Sequence, residues 1–369
     1  MQIKFSFLFF FFALPLVLAD LRVGFYQSTC PQAESIVLQV IGNRFKSDKS
    51  ITGALLRLQF HDCFVKGCDA SILIDPKPTD QTQREKQAGP NQTVRGYELI
   101  DAIKTAIEAV CPSMVSCADI IALATRDAVA LAGGPRYTVP TGRRDGLVSD
   151  IANVNLPGPQ STVPQAFQIF RSKGFTVPEM VTLLGAHTVG VAHCSFFQER
   201  VSNGAFDPNM DPSLAANLSR ICSSSNSDPA VFLDQSTGST FDNEYYKQLM
   251  MRRGILQIDQ QLAIDGSSAG IVSGFARNGL GFTQSFASAM VKLITFDVLV
   301  GNAGEVRTNC RAFNTPKTTA NPTVNSPNQS TNSTVNPPQT ATNPTSNTPQ
   351  TATNPKPAEK KRPPFFFIF

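Results

Sequence analysis

Apolar residues recur at the spacing of an α-helix through most of residues 20–313. The clearest helical segments are residues 33–46, 97–110, 117–132, 242–252 and 273–294. Another helix is predicted after Thr176, because Thr176 and Glu179 have the spacing of a capping box and Pro178 falls in the first turn. Alternation typical of a strand is confined to residues 137–140. The pattern predicts an all-α fold with long connecting loops.

The two ends of the chain differ from this region. Residues 1–19 combine Lys4, an apolar run and small residues before Asp20, which is the pattern of a secretory signal peptide. A retained membrane anchor is the alternative, but the apolar run is short for a bilayer. Residues 314–369 are rich in proline, threonine and asparagine and repeat one motif, so we expect a disordered C-terminal extension. The apolar residues 365–369 at its C-terminus are either a sorting signal or a segment without a function.

The formal net charge of +4 arises in that extension. Five basic residues and one acidic residue lie there, so the predicted domain, residues 20–313, is nearly neutral. This distribution gives no reason to expect nucleic acid as a partner.

Secretion changes how the cysteines are interpreted. An even number in an oxidising environment indicates disulfides, and four are expected here. Many pairings are possible, and cysteine counting does not choose among them. The absence of Cys-x-x-Cys argues against a zinc ribbon, and the absence of Cys-x-x-Cys-His excludes covalent c-type haem. The eight cysteines are Cys30, Cys63, Cys68, Cys111, Cys117, Cys194, Cys222 and Cys310.

Residues 57–71 bring together a cation, an imidazole and several oxygen ligands. Residues 53–60 have helical character, so Arg57 and His61, four residues apart, lie on one helix face. The pair suits a site where a proton moves and negative charge develops. The loop that follows contains acidic and hydroxyl side chains, which suit Ca²⁺. The alternative is that Arg57 is an ordinary surface residue and His61 an ordinary core residue. The clustering of so many candidate groups within residues 57–71 argues against it.

A second group of candidates lies downstream. His187 sits among small apolar residues, where a neutral imidazole can approach a metal or a flat cofactor; core packing is the alternative. His193 has no supporting pattern and is expected to be structural. Residues 234–242 offer oxygen atoms at short intervals and, with Thr188, could form a second Ca²⁺ cage. An ordinary loop rich in serine and threonine is the alternative, and the residues taken alone favour it.

These motifs resemble those of a known family. Residues 57–71 resemble the distal motif of the class III secretory plant peroxidases, and residues 184–190 resemble their proximal haem-ligand motif. The resemblance covers about residues 21–313 and leaves out the C-terminal extension. It implies an all-α haem peroxidase fold, with haem held between distal and proximal helical halves. Further matches are Glu85-Lys86 to Asn91, Arg95-Gly96, Cys117-Ala118-Asp119, Gly142-Arg143-Arg144-Asp145 and all eight cysteines.

The resemblance implies one haem b, with H₂O₂ reduced while two small phenols lose one electron each. On the distal side it implies that His61 is the acid–base catalyst and Arg57 stabilises the transition state. It also implies that Asn91 orients His61 and Phe60 walls the pocket.

On the proximal side, the resemblance implies that His187 is the axial ligand of the haem iron and that Asp259 accepts its other ring hydrogen. It places Pro157 at the edge where the aromatic substrate binds. It also implies two Ca²⁺ ions, the first held by Asp62, Val65, Gly67, Asp69 and Ser71, and the second by Thr188, Asp234, Thr237, Thr240 and Asp242. The implied disulfides are Cys30–Cys111, Cys63–Cys68, Cys117–Cys310 and Cys194–Cys222.

Some positions depart from the family pattern. Tyr137 replaces the usual tryptophan, which we expect to affect packing only. Gln59 replaces a frequent histidine, which puts one local hydrogen bond in question. Asn91 begins a glycosylation sequon that we expect to be unused, because a glycan would displace the residue that orients His61. Asn217 is a more plausible glycosylation site.

The leading hypothesis is therefore a secreted, monomeric, haem- and Ca²⁺-dependent peroxidase with no membrane or nucleic-acid partner. It would act in the cell wall, or in the vacuole if the C-terminal extension directs it there. The alternative is a cell-wall protein that binds haem without turnover. A zinc hydrolase is disfavoured, because the three histidines lack the His-Glu-x-x-His spacing.

Overall fold

The computed structural model describes residues 21–202, 206–223 and 227–314. The predicted signal peptide and the extension beyond Asn314 lie outside the described residues. No helix in the described part is long and apolar enough to cross a membrane. The predicted all-α class is confirmed: the described residues form eleven α-helices and a small antiparallel sheet of β1 (Val191–His193) and β2 (Ala230–Phe232). The helices are α1 (Ala33–Ser47), α2 (Ile51–Lys66), α3 (Tyr97–Glu108), α4 (Cys117–Leu131), α5 (Val163–Ser172), α6 (Val177–Leu184), α7 (Pro212–Ser223), α8 (Glu244–Met250), α9 (Gln257–Ile264), α10 (Ala269–Arg277) and α11 (Gly279–Thr295).

Helix α2, which carries His61, is surrounded by other parts of the fold. Thirteen of its sixteen residues are buried. The Thr52 hydroxyl donates to the carbonyl of Ala128 in α4 over 3.2 Å, and the Thr125 hydroxyl donates back to the carbonyl of Leu55 over 3.2 Å. Helices α1 and α3 pack against α4 in turn. The direction of α2, and of the side chains that it presents, is therefore fixed by tertiary contacts.

Helix α6 leads directly into the segment that carries His187. The predicted capping box is present: Glu179 N–H donates to Thr176 Oγ1 over 3.3 Å, and Thr176 N–H donates to Glu179 Oε2 over 2.7 Å. Lys292 of α11 donates to the same carboxylate over 2.8 Å. The helix continues into a short 3₁₀ turn, Gly185–Thr188. Its start is therefore fixed both locally and by α11.

A buried ion pair joins parts of the chain that are distant in sequence. Arg143 and Asp119 meet at 2.7 Å with both side chains fully buried. The Tyr26 hydroxyl donates to Asp119 over 2.6 Å, and Arg143 Nε donates to the carbonyl of Ile294 over 2.8 Å. The segment before α1, helix α4 and the end of α11 are thereby held together.

Four disulfides add covalent links to this framework. They are Cys30–Cys111, Cys63–Cys68, Cys117–Cys310 and Cys194–Cys222, the pairs that the resemblance implies. The first and third close loops of 81 and 193 residues, so they restrict the unfolded chain most.

Two details of the predicted secondary structure are wrong. Residues 137–140 form no strand; only an isolated bridge between Arg22 and Thr141 lies beside them. The single helix predicted over residues 273–294 is divided into α10 and α11. The division falls at Asn278, whose backbone leaves the helical region and whose side chain caps α11 by accepting the N–H of Gly281 over 2.9 Å.

Candidate functional site

His61 is fully buried in α2 and is held from one side of its ring. Its Nδ1 lies 2.6 Å from Asn91 Oδ1. The Asn91 amide is fixed in turn, because its Nδ2 donates to the carbonyl of Glu85 over 2.7 Å. Since Asn91 Oδ1 only accepts hydrogen bonds, Nδ1 carries the ring proton and the lone pair of a neutral ring is on Nε2. His61 is thus oriented as a base.

Arg57 and Phe60 flank His61 on the same helix. Arg57 Nη2 donates to the carbonyl of Pro90 over 2.9 Å, which places the guanidinium next to the loop that carries Asn91. Desolvation lowers the pKa of Arg57 to about 10, so it remains cationic at neutral pH. The Phe60 ring lies 6.1 Å from the His61 ring. All four predicted distal residues are therefore neighbours.

His187 is held by a carboxylate instead of an amide. Its Nδ1 lies 2.7 Å from Asp259 Oδ1 at the start of α9, and both side chains are buried. The hydroxyl of Tyr245 donates to the same oxygen over 2.8 Å. Nδ1 therefore carries the proton, and the lone pair of the ring is on Nε2.

Tyr245 is a residue of this site to which the sequence analysis assigned no role. It lies in α8, in a segment whose apolar pattern predicts only a helix. Burial raises the pKa of its hydroxyl well above the usual range, so the hydroxyl keeps its proton and stays a donor to Asp259. No local motif connects residues 245 and 259, because the contact depends on how α8 packs on α9.

A pocket lies between the two histidine-bearing segments. Gly53, Ala54 and Arg57 of α2 form one side, and Val189 and Gly190 form the other. The two sides approach closely, since a Cβ on Gly53 would lie 2.9 Å from the Cα of Gly190. Small residues on both sides therefore allow the two segments to approach closely, with a narrow space beside them.

Two arginines, Arg57 and Arg95, line this pocket together with the partly buried His193. Arg95 donates to the Ser50 hydroxyl over 3.0 Å, and His193 Nδ1 lies 2.7 Å from the carbonyl of Asp228. These groups suit a ligand with negatively charged edges. His193, which was expected to be structural, lines the pocket as well as holding a neighbouring loop.

The first predicted Ca²⁺ loop contains a buried cluster of oxygen atoms. Asp62 Oδ2 accepts the N–H of Ala70 over 3.0 Å, while its Oδ1 has no hydrogen-bond partner in the described part of the chain. Asp69 accepts the N–H of Ser71 over 2.9 Å, and the Ser71 hydroxyl donates to Glu85 over 3.1 Å. Glu85, to which no role was assigned, therefore joins this loop to the Asn91 segment.

The carboxylates of this loop are crowded and shielded from water. Burial, followed by the charge of Asp69, raises the pKa of Asp62 well above its usual range. Burial raises the pKa of Asp69 to about 6 and that of Glu85 to about 8. Negative charge collected in this way is destabilising unless protons or a cation neutralise it.

Two backbone positions complete this loop. The carbonyl of Val65 accepts a hydrogen bond from Lys173 over 2.9 Å and has a second lone pair available. Gly67 adopts a φ of 80°, and a Cβ there would lie 1.8 Å from the carbonyl oxygen of Asp297. Only glycine therefore permits this turn.

The second predicted Ca²⁺ loop also brings its oxygen atoms together. Thr237 Oγ1 lies 3.0 Å from Asp234 and 3.1 Å from Asp242, and Thr188 Oγ1 lies 3.3 Å from Asp242. Thr240 N–H donates to the carbonyl of Thr237 over 2.7 Å and closes the turn. No group of three His, Cys, Asp or Glu side chains among the described residues has the arrangement of a metal site. A cation at either loop would therefore depend partly on hydroxyl and backbone oxygens.

The predicted substrate edge is a groove near Pro157. Pro157 itself is buried, and its neighbours Leu156 and Gly158 line the groove together with Pro90. Pro90 connects the groove to the distal residues, because its carbonyl accepts the hydrogen bond from Arg57.

The departures from the family pattern have structural consequences. Gln59 is fully buried, and neither atom of its side-chain amide has a hydrogen-bond partner in the described part of the chain. Tyr137 is also buried without a partner for its hydroxyl there, so it acts through packing. Asn91 is 1% exposed, which gives a glycan no room, whereas Asn217 is exposed.

Comparison with known proteins agrees with this arrangement. A family model described as Peroxidase matches residues 37–278. Peroxidase 44 of Arabidopsis thaliana is 57% identical over 309 residues, covering 84% of this chain and 97% of that protein. Peroxidase 57 of Arabidopsis thaliana is 52% identical over 313 residues, with coverages of 84% and 97%. Peroxidase 5 of Vitis vinifera is 44% identical over 304 residues, with coverages of 80% and 92%. The chain therefore belongs to the peroxidase family, as a class III plant peroxidase, and is a haem enzyme that reduces H₂O₂ at the expense of a reducing substrate.

Proposed function

We propose that this peroxidase oxidises small phenols, using His61, Arg57 and Asn91 for the reaction with H₂O₂. The observation that carries the proposal is the contact between His61 Nδ1 and Asn91 Oδ1 at 2.6 Å. It leaves Nε2 as the basic nitrogen, which takes a proton from H₂O₂ and returns it to the leaving oxygen. Arg57, cationic at neutral pH, stabilises the negative charge that develops as the O–O bond breaks.

We assign the haem site to the pocket between α2 and the segment that follows His187. The fit is supported by the small residues on both walls and by the two arginines, which suit the carboxylates of haem b. His187 would hold the iron through Nε2, because Asp259 binds the proton on Nδ1. Haem b, when bound, would supply the one-electron redox chemistry of the reaction. Asp259 makes the imidazole a stronger electron donor, and Tyr245 keeps that carboxylate in place.

Two Ca²⁺ ions are proposed at the two oxygen-rich loops. The first set is Asp62, Val65, Gly67, Asp69 and Ser71, and the second is Thr188, Asp234, Thr237, Thr240 and Asp242. The proposal is supported by the raised pKa values in the first loop and by the hydroxyl groups shared between two carboxylates in the second. Hard oxygen ligands of this kind suit Ca²⁺.

The reducing substrate is proposed to enter at the groove beside Pro157. Each phenol loses one proton and one electron, so two phenols are consumed for each H₂O₂, and two water molecules form. The groove is near the distal residues through Pro90, which supports this assignment.

We propose that the protein is secreted and works as a monomer without membrane or nucleic-acid partners. The signal-like residues 1–19 support secretion, and the four disulfides suit an oxidising environment. The extension, residues 314–369, would decide between the cell wall and the vacuole. A secreted reporter fused to it, imaged in plant cells, tests that role.

The test of the central assignment is the variant His61→Leu. It should keep haem, seen as an unchanged Soret band, while the rate of reaction with H₂O₂ falls by about 10²–10⁴-fold. Gln92→Leu, at the exposed position next to Asn91, is the control and should react at close to the normal rate. A His61→Leu protein that reacts normally would remove His61 from the proposed mechanism. A haem-loaded wild-type protein that oxidises no phenol would instead favour the non-catalytic cell-wall protein.

A further inference from the structure

The last turn of α2 is held by a lysine that follows directly on α5. The carbonyls of a last helical turn have no partner within the helix, and one of them, that of Val65, accepts a hydrogen bond from Lys173 Nζ over 2.9 Å. The ammonium group also lies at the negative end of the helix dipole. The same carbonyl oxygen is one of the two backbone ligands proposed for the first Ca²⁺ ion. A cation of the protein and a proposed metal ion therefore share one oxygen atom.

Packing between α5 and α2 holds the two partners of this contact together. The rings of Phe170 and Phe175, which lie on either side of Lys173 in the sequence, are 4.7 and 5.5 Å from the ring of Phe64. All three rings are buried. Phe64 directly precedes Val65, so a buried aromatic cluster brings the lysine to this carbonyl. The contact is thus part of the packed fold.

The first loop also contains a cation of the protein among its acidic groups. Asp62, Asp69 and Glu85 are buried there, and so is the guanidinium of Arg307. Burial raises the pKa of each of the three carboxyl groups, and the charge of Arg307 partly opposes that rise. Lys173 adds a second cation from the side of α5. Each fixed positive charge reduces the attraction of the loop for an added cation.

We propose that Lys173 lowers the affinity of the first loop for Ca²⁺. In the Ca²⁺-free protein its ammonium group stabilises a carbonyl that lacks a partner within α2. In the Ca²⁺-bound protein it repels an ion held by the same oxygen. Both effects favour the Ca²⁺-free form. This inference rests on the proposed function, because it takes the first loop to be a Ca²⁺ site. Lys173 acts through the Val65 carbonyl and is not itself a ligand.

An ordinary helix cap is the alternative role for Lys173. A cap contributes equally to the Ca²⁺-free and the Ca²⁺-bound protein, so its loss lowers stability without changing the affinity for Ca²⁺. The proposed role changes the affinity itself. Measurements of Ca²⁺ binding therefore distinguish the two roles, whereas a loss of stability alone does not.

The test compares Lys173→Met with the wild type by titrating both haem-loaded proteins with Ca²⁺ in competition with a chelator. The dissociation constant of the first loop should fall by about tenfold, which is the effect of one unit charge close to a divalent ion at the dielectric constant of water. The second loop should keep its constant. Asp69→Asn identifies which constant belongs to the first loop, because it removes a proposed ligand there.

Three further variants separate charge from structure. Lys173→Gln is neutral but can still donate a hydrogen bond, and it should also bind Ca²⁺ more tightly. Lys173→Arg keeps both the charge and the donor, so its constant should stay close to that of the wild type. Arg171→Met is the matched control, since it removes one positive charge from an exposed position on the same helix. It should leave both constants in place.

Thermal unfolding gives a second measurement that does not depend on activity. Lys173→Met should lower the midpoint more in excess chelator than in excess Ca²⁺, because the lysine stabilises the Ca²⁺-free form most. Equal lowering under both conditions, with an unchanged or weaker affinity for Ca²⁺, overturns the inference and leaves the proposed Ca²⁺ site intact. If Asp69→Asn alters neither dissociation constant, the first loop binds no Ca²⁺, and that part of the proposed function is overturned first.

Discussion

At the scale of single residues, the two buried histidines differ in what accepts the proton on Nδ1. For His61 the acceptor is the neutral amide of Asn91, and for His187 it is the carboxylate of Asp259, at nearly equal distances of 2.6 and 2.7 Å. A neutral acceptor orients the ring without adding charge, which suits a base that must take up and release a proton. A charged acceptor makes the other nitrogen a stronger donor, which suits a metal ligand. The group that accepts the Nδ1 proton of each ring thus distinguishes the two proposed roles, that of a base and that of a metal ligand.

The first prediction changes this acceptor for His61. In Asn91→Asp, a carboxylate would accept the Nδ1 proton and make the ring more basic. The ring would then hold a second proton up to a higher pH, so the fall in the rate of reaction with H₂O₂ on the acid side should begin at a higher pH. Stopped-flow rates across the stable pH range measure it. Gln92→Glu adds the same charge at the exposed neighbouring position and should leave the profile in place.

The second prediction concerns Gln59, the buried glutamine whose amide has no partner in the described part of the chain. Gln59→Leu keeps a similar volume and removes two polar atoms from an apolar setting. The free energy of unfolding should stay the same or rise by about 1 kcal/mol. Gln59→Ala is the comparison and should be destabilised by about 2 kcal/mol or more, because it leaves a cavity. Thermal unfolding that shows a clear loss of stability in Gln59→Leu would count against this reading of the buried amide.

At the scale of elements, the sequence predicts a helix where periodicity is long and its ends are marked. Residues 33–46, 97–110 and 117–132 correspond to α1, α3 and α4 to within a few residues, and the capping box places the start of α6. Short helices such as α9, with eight residues, contain too few turns for periodicity to identify them. The sequence pattern does not predict the break at Asn278, because apolar residues continue on both sides of it. Tertiary packing, and not the local pattern, therefore determines where the short helices and this break lie.

The third prediction concerns the capping box of α6. Thr176→Ala should lower the free energy of unfolding by about 0.5–2 kcal/mol, because the N–H of Glu179 loses its acceptor. Thr162→Ala removes the equivalent cap of α5, where Thr162 accepts the N–H of Gln165 over 3.4 Å, and should cost a similar amount. Haem should dissociate faster only in Thr176→Ala, because α6 alone leads into His187. Transfer of haem to apomyoglobin measures that rate, and equal rates in the two variants would contradict the link.

At the scale of the whole molecule, the site depends on contacts between distant parts of the chain. The sequence motifs identify His61, Arg57, His187 and the loop oxygens, because each group is compact in sequence. They do not identify Tyr245 as a partner of Asp259, nor Glu85 as the link between Ser71 and Asn91, since both depend on tertiary packing. The cysteines illustrate the same limit: spacing alone left the pairings open, and the fold brings Cys117 to Cys310 across 193 residues.

The last prediction follows from the way the first proposed Ca²⁺ loop continues the helix that carries Arg57 and His61. Without a cation, the buried carboxylates of Asp62 and Asp69 repel each other, and the end of α2 loses its anchor. Gradual removal of Ca²⁺ by a chelator should therefore slow the reaction with H₂O₂ while the Soret band is still present. Asp69→Asn should reproduce this loss, whereas Asp234→Asn, in the second loop beside His187, should mainly accelerate haem release. If haem is lost at the same Ca²⁺ level as the reaction with H₂O₂, the first loop does not act through α2, and calcium supports the fold as a whole.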